Sequence, residues 1–545
     1  MRIGDAIPGD ATSEETFINV MSWIKDCTET HHACGPGEAS KLPRRVLDLE
    51  AKVDDVVLYE SNSEAAKYIC LSHCWGNTRA LTTRSSNLAE HKTGIPFGSL
   101  PRTFQDAVEF GRKMKIRYLW IDSLCIIQND EADWQRESAL MAQIYQNSYL
   151  TLAATGSYSD DEGLFYKLPQ AFVFGVLLDG SPYKIYARPA IRHFDDAEFP
   201  LFSRAWVFQE RMLAPRVLHF GKQELWWECM ESNHCECGGF NSGERLATGQ
   251  EKYESKITHQ EIVSTSSLAY LSPRWHNIIE EYSELNLTHS RDKLPALSGI
   301  ANQMCLIRER RHIRNPRIQN VSGRKYLAGL WSDTIVSDLL WYRRDYSSSS
   351  SPEKWRAPTW SWAALDGPVK CIDTIGRVPQ VEKTNTLETR ASGATINDIH
   401  VQVLESFAQP SGANQFGEIV AAHLRLRGCL LPVQLTRGES RGHGNRFEFR
   451  CFDWTRKAVP FFADYELELT EDSGTKDPKK ICGYLLRLVT GEDSHDYGLV
   501  LRKVSEDEET YERIGMFRTT NLYPSIAVEL REHFKNVTPK EFTIT

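Results

Sequence analysis

"YICLSHCWG", residues 68–76, decides the fold of the first part of this chain. The run YICLS is apolar enough and long enough for one buried β-strand, and it stops at a set of polar and aromatic groups. His73 and Cys74 are neighbours, so in a strand they would face opposite ways, which argues against a nucleophile and base pair. Trp75 offers a stacking or core surface, and Gly76 suits a turn that is closed to other residues.

Helical and strand-like patterns alternate after this stretch. Ser99 is a candidate N-cap, and Pro101 suits the first turn of the helix that follows it. The predicted elements are a helix over 99–115, a buried strand over 117–127, a helix over 129–147 and a strand over 148–155. Strand, helix, strand, helix and strand in this order predict an α/β domain with a parallel sheet and helices on its faces.

Later segments have other patterns. Two hairpins are predicted, around Asp179–Gly180 and around Gly221–Lys222. A serine run at Ser347–Ser351, followed by Pro352, predicts a linker. The predicted regions are an N-terminal segment packed on the core (1–60), an α/β domain (61–245), a mainly helical region (246–346) and a β-rich domain (347–545).

Size and composition exclude several classes of protein. The chain of 545 residues is longer than one hydrophobic core usually serves, and its 41% hydrophobic and 25% charged residues are typical of a globular protein. A net charge of -9 gives no general attraction for nucleic acid or anionic lipid. No segment reaches the roughly 18 apolar residues of a membrane span. The 13 cysteines, an odd count over a long chain, fit reduced thiols, so a cytoplasmic protein is expected.

Polar residues follow the predicted parallel strands. The carboxyl end of the first predicted strand carries Ser72, His73, Trp75 and Gly76. The second predicted strand, over 117–127, contains Asp122. In open parallel sheets ligands bind outside the carboxyl ends of the strands. These loops are therefore predicted to form the mouth of a site.

One carboxylate stands out on the second predicted helix. Trp134, Glu137, Met141 and Ile144 share one helical face, which places an acid inside an apolar stripe. Burial would raise the pKa of Glu137 toward general acid or base use. Two other interpretations stay open: a buried salt bridge to an arginine, or a stripe edge that faces water.

Two cysteine and histidine clusters offer soft metal ligands. They are CTETHHAC (Cys27, His31, His32, Cys34) and CMESNHCEC (Cys229, His234, Cys235, Cys237). Neither has the paired C-x-x-C spacing of a zinc ribbon, so ordinary surface and core residues are the preferred interpretation and no metal ligand is assigned. A structural zinc that joins the two clusters is the alternative.

Taken in order, several segments resemble the fungal heterokaryon-incompatibility (HET) domain. The matching motifs are YICLSHCWG, LPRTFQDAVEFGRKMKIRYLWIDSLCIIQND, DWQRESALMAQIYQNSYLTLAAT and SRAWVFQERMLAPRVLHF, and further pieces such as RAPTWSWAALDGPV are similar to full-length fungal members. The resemblance implies a cytoplasmic protein of non-self recognition and programmed cell death. It also implies self-association and an incompatibility partner protein.

HET domains are similar to Toll/interleukin-receptor (TIR) domains, which have a flavodoxin-like α/β fold and include enzymes that cleave NAD at the nicotinamide glycosidic bond. In that comparison YICLSHCWG resembles the first TIR strand and its loop. DWQRE, with Trp134 and Glu137, is similar to the W-x-x-x-E helix whose glutamate is catalytic. The resemblance thus implies Glu137 as the catalytic carboxylate, with Trp75 or Trp120 as a stacking wall. No cofactor is required, and NAD is the implied substrate.

The family motif SRAWVFQER contains Arg204, Trp206, Gln209 and Glu210, and a network of interdomain hydrogen bonds and packing is its preferred interpretation. Ligand contacts are predicted for Ser72, His73, Trp75, Gly76, Trp120, Asp122, Trp134 and Arg204. Two rival functions remain, namely a non-enzymatic signalling module that works by oligomerising, and a HET-like enzyme that acts on a small molecule of secondary metabolism.

Overall fold

The chain forms two compact units, Met1–Glu261 and Ile262–Thr545. The computed structural model describes residues 9–52, 54–76, 81–168, 171–187, 199–238, 250–265, 268–314, 325–343, 354–372, 396–437, 447–451, 459–467, 481–491, 494–505, 507–519 and 524–545. The predicted serine linker at Ser347–Ser351 lies outside the described residues.

Strands and helices alternate through the first unit. The strands are β1 (Ser40–Lys41), β2 (Arg45–Asp48), β3 (Asp55–Glu60), β4 (Ala65–Ala66), β5 (Tyr68–Ser72), β6 (Ile95–Pro96), β7 (Tyr118–Trp120), β8 (Leu150–Ala153), β9 (Ala171–Val176), β10 (Pro182–Ala187), β11 (Arg216–Phe220), β12 (Leu225–Cys229) and β13 (Asn233–Cys235). The helices are α1 (Glu14–Thr30), α2 (Leu88–Thr93), α3 (Arg102–Lys113), α4 (Asp122–Cys125), α5 (Glu131–Gln146) and α6 (Ala205–Leu213).

Nine of these strands form one sheet, in the order β13-β12-β11-β8-β5-β7-β2-β3-β6. The four central strands β11, β8, β5 and β7 are parallel, as the alternating pattern predicts. Antiparallel strands extend the sheet on both sides. The expectation of a parallel sheet therefore holds for its centre, and the sheet as a whole is mixed.

The predicted strand over 117–127 is too long. Only Tyr118–Trp120 is extended, and α4 begins at Asp122. The carboxylate of Asp122 accepts a hydrogen bond from the backbone N–H of Ser123 at 2.7 Å, which is the local bonding that favours a helix start over a strand. This turn places Asp122 at the carboxyl end of β7.

The helix predicted over 99–115 begins later than Ser99. α3 starts at Arg102 with Pro101 in the cap position. The Ser99 hydroxyl instead donates to the carbonyl oxygen of Pro96 at 2.7 Å and stabilises a 3₁₀ turn before the helix. The next helix, α5, has Asp130 as its N-cap, and its side chain accepts from the N–H of Asp133.

Both predicted hairpins are confirmed. β9 and β10 pair as a separate two-stranded sheet around Asp179–Gly180. β11 and β12 pair around Gly221–Lys222, and β11 also pairs with β8, so this hairpin extends the main sheet. Every residue of β5, β8, β11 and β12 is buried, as expected of strands covered on both faces.

Helices dominate the middle of the chain, as predicted. They are α7 (Gln250–Thr265), α8 (Leu268–Ser283), α9 (Ser298–Arg314) and α10 (Ile335–Asp338), with short strands β14 (Tyr326–Leu327), β15 (Leu330–Trp331), β16 (Trp341–Arg343) and β17 (Val369–Cys371). Among the residues that the structure describes, no helix is both long and apolar enough to cross a lipid bilayer.

The last part of the chain is β-rich. Its elements are β18 (Ile396–Ile399), β19 (Val401–Pro410), β20 (Ile419–Gly428), β21 (Leu430–Arg437), β22 (Phe447–Cys451), β23 (Val459–Ala463), β24 (Ile481–Gly491), β25 (Asp496–Lys503), β26 (Thr510–Arg518), α11 (Pro524–Lys535) and β27 (Lys540–Ile544). The ten strands form one sheet, antiparallel except for the pairing of β26 with β27. β25 pairs with both β24 and β26, so six strands close a ring of ladders.

Leu119 tests how strongly the central strands hold the first unit together. Its side chain is fully buried in β7 between Leu47 and Ile69 on the neighbouring strands, so Leu119→Ala is expected to lower the free energy of unfolding by about 2–5 kcal/mol. The control is Leu140→Ala on α5, where the side chain is 44% exposed and the loss should stay within about 0.5 kcal/mol. Urea unfolding measures both, and equal losses would contradict this account of the core.

Candidate functional site

The carboxyl ends of β5 and β7 meet at one edge of the sheet, beside α6. The Ser72 hydroxyl, at the end of β5, donates a hydrogen bond to the carboxylate of Glu210 on α6 at 2.5 Å. The Tyr145 hydroxyl on α5 donates to the backbone carbonyl of Leu71 at 3.1 Å. Ser72, Glu210 and Tyr145 are all buried, so this edge carries a hydrogen-bonded polar group inside the protein.

Asp122 lies at the more exposed side of this edge. Its carboxylate accepts a hydrogen bond from the indole N–H of Trp75 at 3.1 Å. The second oxygen is 3.9 Å from Nδ1 of His73. With 21% of its side chain exposed, Asp122 gives solvent and ligands access to the edge.

His73 and Asp160 form a second buried pair at this edge. Nε2 of His73 is 3.2 Å from Oδ1 of Asp160, but the contact lacks hydrogen-bond geometry. Within the described part of the chain, neither Nε2 of His73 nor either carboxylate oxygen of Asp160 has a hydrogen-bond partner. Both side chains are buried, and the His73 ring packs edge-to-face on Phe104. Buried polar atoms without partners are costly, so this pair is poised to bond a further group.

Arg204 and Gly76 complete the edge. Arg204 caps the start of α6, and its guanidinium donates a hydrogen bond to the backbone carbonyl of His73. Gly76 has φ +71°, and a Cβ there would lie 2.5 Å from Cβ of Ser159. Only glycine fits this turn without strain, as the sequence predicts.

Burial shifts the protonation of the groups at this edge. It raises the pKa of Glu210 to about 7, helped by the charge of Asp122 and opposed by the hydrogen bond from Ser72. Burial, again with Asp122, raises the pKa of Asp160 to about 8. It lowers the pKa of His73 to about 4. At neutral pH the edge therefore holds a neutral imidazole and carboxyl groups that exchange protons near that pH.

Glu137 lies in a different network. Its Oε1 is 3.6 Å from Nη2 of Arg45. The guanidinium of Arg45 also pairs with the carboxylate of Asp133 and donates a hydrogen bond from Nε to the carbonyl of Cys125 at 2.6 Å. Arg45, Asp133 and Glu137 are all buried. Burial raises the pKa of Glu137, and the charge of Arg45 opposes that shift. The geometry is that of a buried ion pair, one of the alternatives that the sequence leaves open, and catalysis by Glu137 stays a prediction.

The two remaining predicted ligand residues are tryptophans of β7 and α5. Trp120 is fully buried in β7 and packs edge-to-face on Tyr145, with ring centroids 5.6 Å apart. Trp134 lies half-buried in the first turn of α5, next to Asp133. The other six predicted residues come together at the edge: Ser72, His73, Trp75, Gly76, Asp122 and Arg204.

Sequence reasoning missed the roles of Glu210 and Asp160 at this edge. Glu210 belongs to the motif SRAWVFQER, which the sequence favours as a packing network. Asp160 follows the third parallel strand, β8, so its signal is its position after a strand that ends at the same edge as β5.

Cysteines and histidines gather elsewhere in the first unit. The ligand atoms of Cys27, His31, Cys34 and Cys229 all lie within 4.8 Å of one another. A second group joins Glu224 with Cys235 and Cys237. The two clusters of the sequence are thus linked by a single residue, Cys229, and the first group has the donors of a metal centre.

The pH dependence of stability tests the environment of Glu210. Between its ordinary pKa of 4.5 and the raised value of about 7, the folded chain keeps a proton that the unfolded chain has lost. This carboxyl group therefore makes the free energy of unfolding fall as pH rises through that window. Glu210→Gln removes this dependence. Between pH 4.5 and pH 7 the free energy of unfolding of the variant should therefore rise by about 3 kcal/mol relative to that of the unsubstituted chain.

Urea unfolding at a series of pH values measures this difference. Glu90→Gln is the matched control, because Glu90 is exposed on α2 and should leave the pH profile unchanged. Parallel profiles for Glu210→Gln and the unsubstituted chain would contradict the raised pKa.

Comparison with known proteins places this edge within one family. Residues 68–210 match the model of the family described as Heterokaryon incompatibility protein (HET). The match begins with β5 and ends at Glu210, so it contains every residue of the edge described above. No curated protein and no solved structure matches the chain. The chain carries a heterokaryon-incompatibility domain over residues 68–210.

Proposed function

We propose that this HET-domain protein acts in fungal non-self recognition and cell death by hydrolysing NAD at the nicotinamide glycosidic bond, with Glu210 as the reacting carboxylate. One observation carries the proposal. Glu210 is buried at the carboxyl edge of the parallel strands, bonded to Ser72, with its pKa raised to about 7. A carboxylate with a pKa near the working pH suits proton transfer.

The order of the parallel strands supports a TIR-like comparison. Across the sheet they run β7-β5-β8-β11, which is second, first, third and fourth along the chain. Doubly wound sheets with this order bind ligands at the carboxyl ends of the strands. The edge that holds Ser72 and Asp122 has that position.

The spacing of the tryptophan and glutamate motif favours Glu210 over Glu137. Trp206 and Glu210 are four residues apart on α6 and fit W-x-x-x-E, whereas Trp134 and Glu137 are three apart. α6 lies between the third and fourth parallel strands. Oε1 of Glu137 also lies 3.6 Å from Nη2 of Arg45, so a fixed cation already neutralises part of its charge. We therefore transfer the catalytic role to Glu210.

The reaction divides into two steps. First the bond between the ribose carbon and the nicotinamide nitrogen breaks, and nicotinamide leaves as a neutral molecule with the electron pair. The carboxylates of Asp122 and Glu210 stabilise the positive charge that develops on the ribose. Water then adds to that carbon and gives its proton to Glu210, so the products are ADP-ribose, nicotinamide and a proton.

Residues around the carboxylates would hold the dinucleotide. The indole of Trp75 lies beside the partly exposed Asp122 and offers a stacking surface for a flat ring. The guanidinium of Arg204 suits a phosphate group. The unpartnered oxygens of Asp160 can accept hydrogen bonds from ribose hydroxyls.

Access to Glu210 requires a rearrangement, because its side chain is buried and bonded to Ser72. We assign that rearrangement to self-association or to an incompatibility partner protein. Activity would then rise with protein concentration, and depletion of NAD would be the cell-death signal.

Nicotinamide release from NAD tests the assignment. Glu210→Gln keeps the size of the side chain and a hydrogen-bond acceptor for Ser72, but it cannot take a proton. We expect it to lower the rate of release by about 10²- to 10⁴-fold. The assay is run over a series of protein concentrations, with nicotinamide separated by chromatography.

Glu137→Gln is the matched control, since it makes the same change in the ion pair with Arg45. If circular dichroism shows that Glu137→Gln is folded, this variant should keep most of the activity of the unsubstituted chain. The opposite ranking of the two variants would return the catalytic role to Glu137. Intact NAD at every concentration would favour the non-enzymatic oligomerising module, and a different ligand that copurifies with the chain would favour an enzyme of small-molecule metabolism.

A further inference from the structure

Three cysteines and one histidine converge in the first unit, far from any step of the proposed reaction. Cys27 lies in the last turns of α1, His31 is its C-cap residue, and Cys34 follows in the next loop. Cys229 comes from the end of β12. Their four ligand atoms lie within 4.8 Å of one another, and Cys229 Sγ is 3.3 Å from Nδ1 of His31.

We propose that Cys27, His31, Cys34 and Cys229 bind one structural zinc ion. Tetrahedral zinc holds sulfur at about 2.3 Å and imidazole nitrogen at about 2.0–2.1 Å, which sets its ligands roughly 3.3–3.8 Å apart. The four donor atoms lie within 4.8 Å of one another, and Cys229 Sγ is 3.3 Å from Nδ1 of His31, so small movements of the side chains would bring the set to these separations. Three cysteines with one histidine are a known donor set for closed zinc sites.

Local structure explains how the ligands converge. Cys27 and His31 are four residues apart, so they face the same side at the end of α1. Cys34 follows His31 by three residues, in the loop after the helix. The sulfur of Cys229 already accepts a hydrogen bond from the N–H of Ser232 at 3.3 Å, a contact of the kind that orients thiolate ligands.

Two cations, Arg216 and Lys256, interact with residues of the cluster. The guanidinium of Arg216 donates to the backbone carbonyls of Cys34, at 3.0 Å, and of Gly35. The ammonium of Lys256 is completely buried and interacts electrostatically with Glu228 and with Cys229. Zinc with three thiolates and a neutral imidazole has a net charge of -1, which these cations would balance.

The site lies at the opposite edge of the sheet from the candidate active site. Cys229 pairs with Arg216, the first residue of β11, and β11 is parallel to β8 and, through β8, to β5. Cys229 is therefore at the amino edge of the parallel strands, whereas Ser72 is at the carboxyl edge. All four zinc positions are taken by protein ligands, so the role is structural, and the ion fastens α1 to the sheet.

Metal content of the full-length chain tests the proposal. Protein purified without chelator should contain one zinc per chain by mass spectrometry of the metal. After exchange, cobalt(II) should give intense visible bands of tetrahedral coordination and a thiolate charge-transfer band in the near ultraviolet. Absence of zinc together with a weak octahedral cobalt spectrum would overturn the proposal. A disulfide among Cys27, Cys34 and Cys229, detected by mass after alkylation, would do the same.

Variants assign the ligands. Cys229→Ser should lose one zinc equivalent, and Cys482→Ser is the matched control, because Cys482 is exposed and lies in the other unit. Cys235→Ser should also keep the zinc, since Cys235 belongs to the separate three-residue group. Full zinc content in Cys229→Ser, or loss in Cys235→Ser alone, would overturn the assignment.

His31→Cys separates ligation from packing. His31 is only half-buried, so the substitution is tolerated by the fold, and it converts the donor set to four cysteines. We expect the variant to keep one zinc and to show a stronger charge-transfer band with cobalt. An unchanged cobalt spectrum would show that His31 is not a ligand. If Cys229→Ser fails to fold, this variant and the unsubstituted chain still decide the question.

Discussion

The hydrogen bond from Ser72 to Glu210 depends on the parallel centre of the sheet and on the position of α6. The two residues are 138 positions apart and meet only because β5 is central in the sheet and α6 packs beside its carboxyl end. β5 is paired in parallel on both sides, with β7 and β8. Parallel pairing aligns the carboxyl ends of these strands, and that alignment also places Asp122 and Asp160 at the same edge.

The cost of this arrangement is electrostatic. Three carboxyl groups, Asp122, Asp160 and Glu210, share an edge at which two of them are buried. Their mutual repulsion and their burial keep protons bound on Asp160 and Glu210 near neutral pH. The guanidinium of Arg204, whose charge interacts with both of these acids, donates its hydrogen bond to the backbone carbonyl of His73. Apolar residues at these buried positions would stabilise the fold more than carboxyl groups do, so the presence of the acids points to function.

The sequence predicts those parts of the fold whose pattern is local. YICLS is a continuous buried strand, and the residues after it, Ser72 to Gly76, lie at the edge where parallel strands bind ligands. The outer strands were harder to foresee. β2 is fully buried but contains Arg45 and Asp48, which interrupt the apolar pattern and form ion pairs with Asp133 and Arg117. Such pairing depends on distant partners, which a local pattern does not contain.

The same limit explains why the sequence does not distinguish the roles of Glu137 and Glu210. Helical periodicity identifies Glu137 as an acid on an apolar helical face, and Glu210 is known from the sequence only as part of the motif SRAWVFQER; neither pattern says what each acid meets. Glu137 meets a guanidinium, whose charge opposes the rise in pKa that burial causes. Glu210 meets a hydroxyl instead, and burial, with the charge of Asp122, raises its pKa to about 7. Proton transfer requires a group that visits both states at the working pH, and the carboxyl group beside Ser72, with a pKa of about 7, meets that requirement.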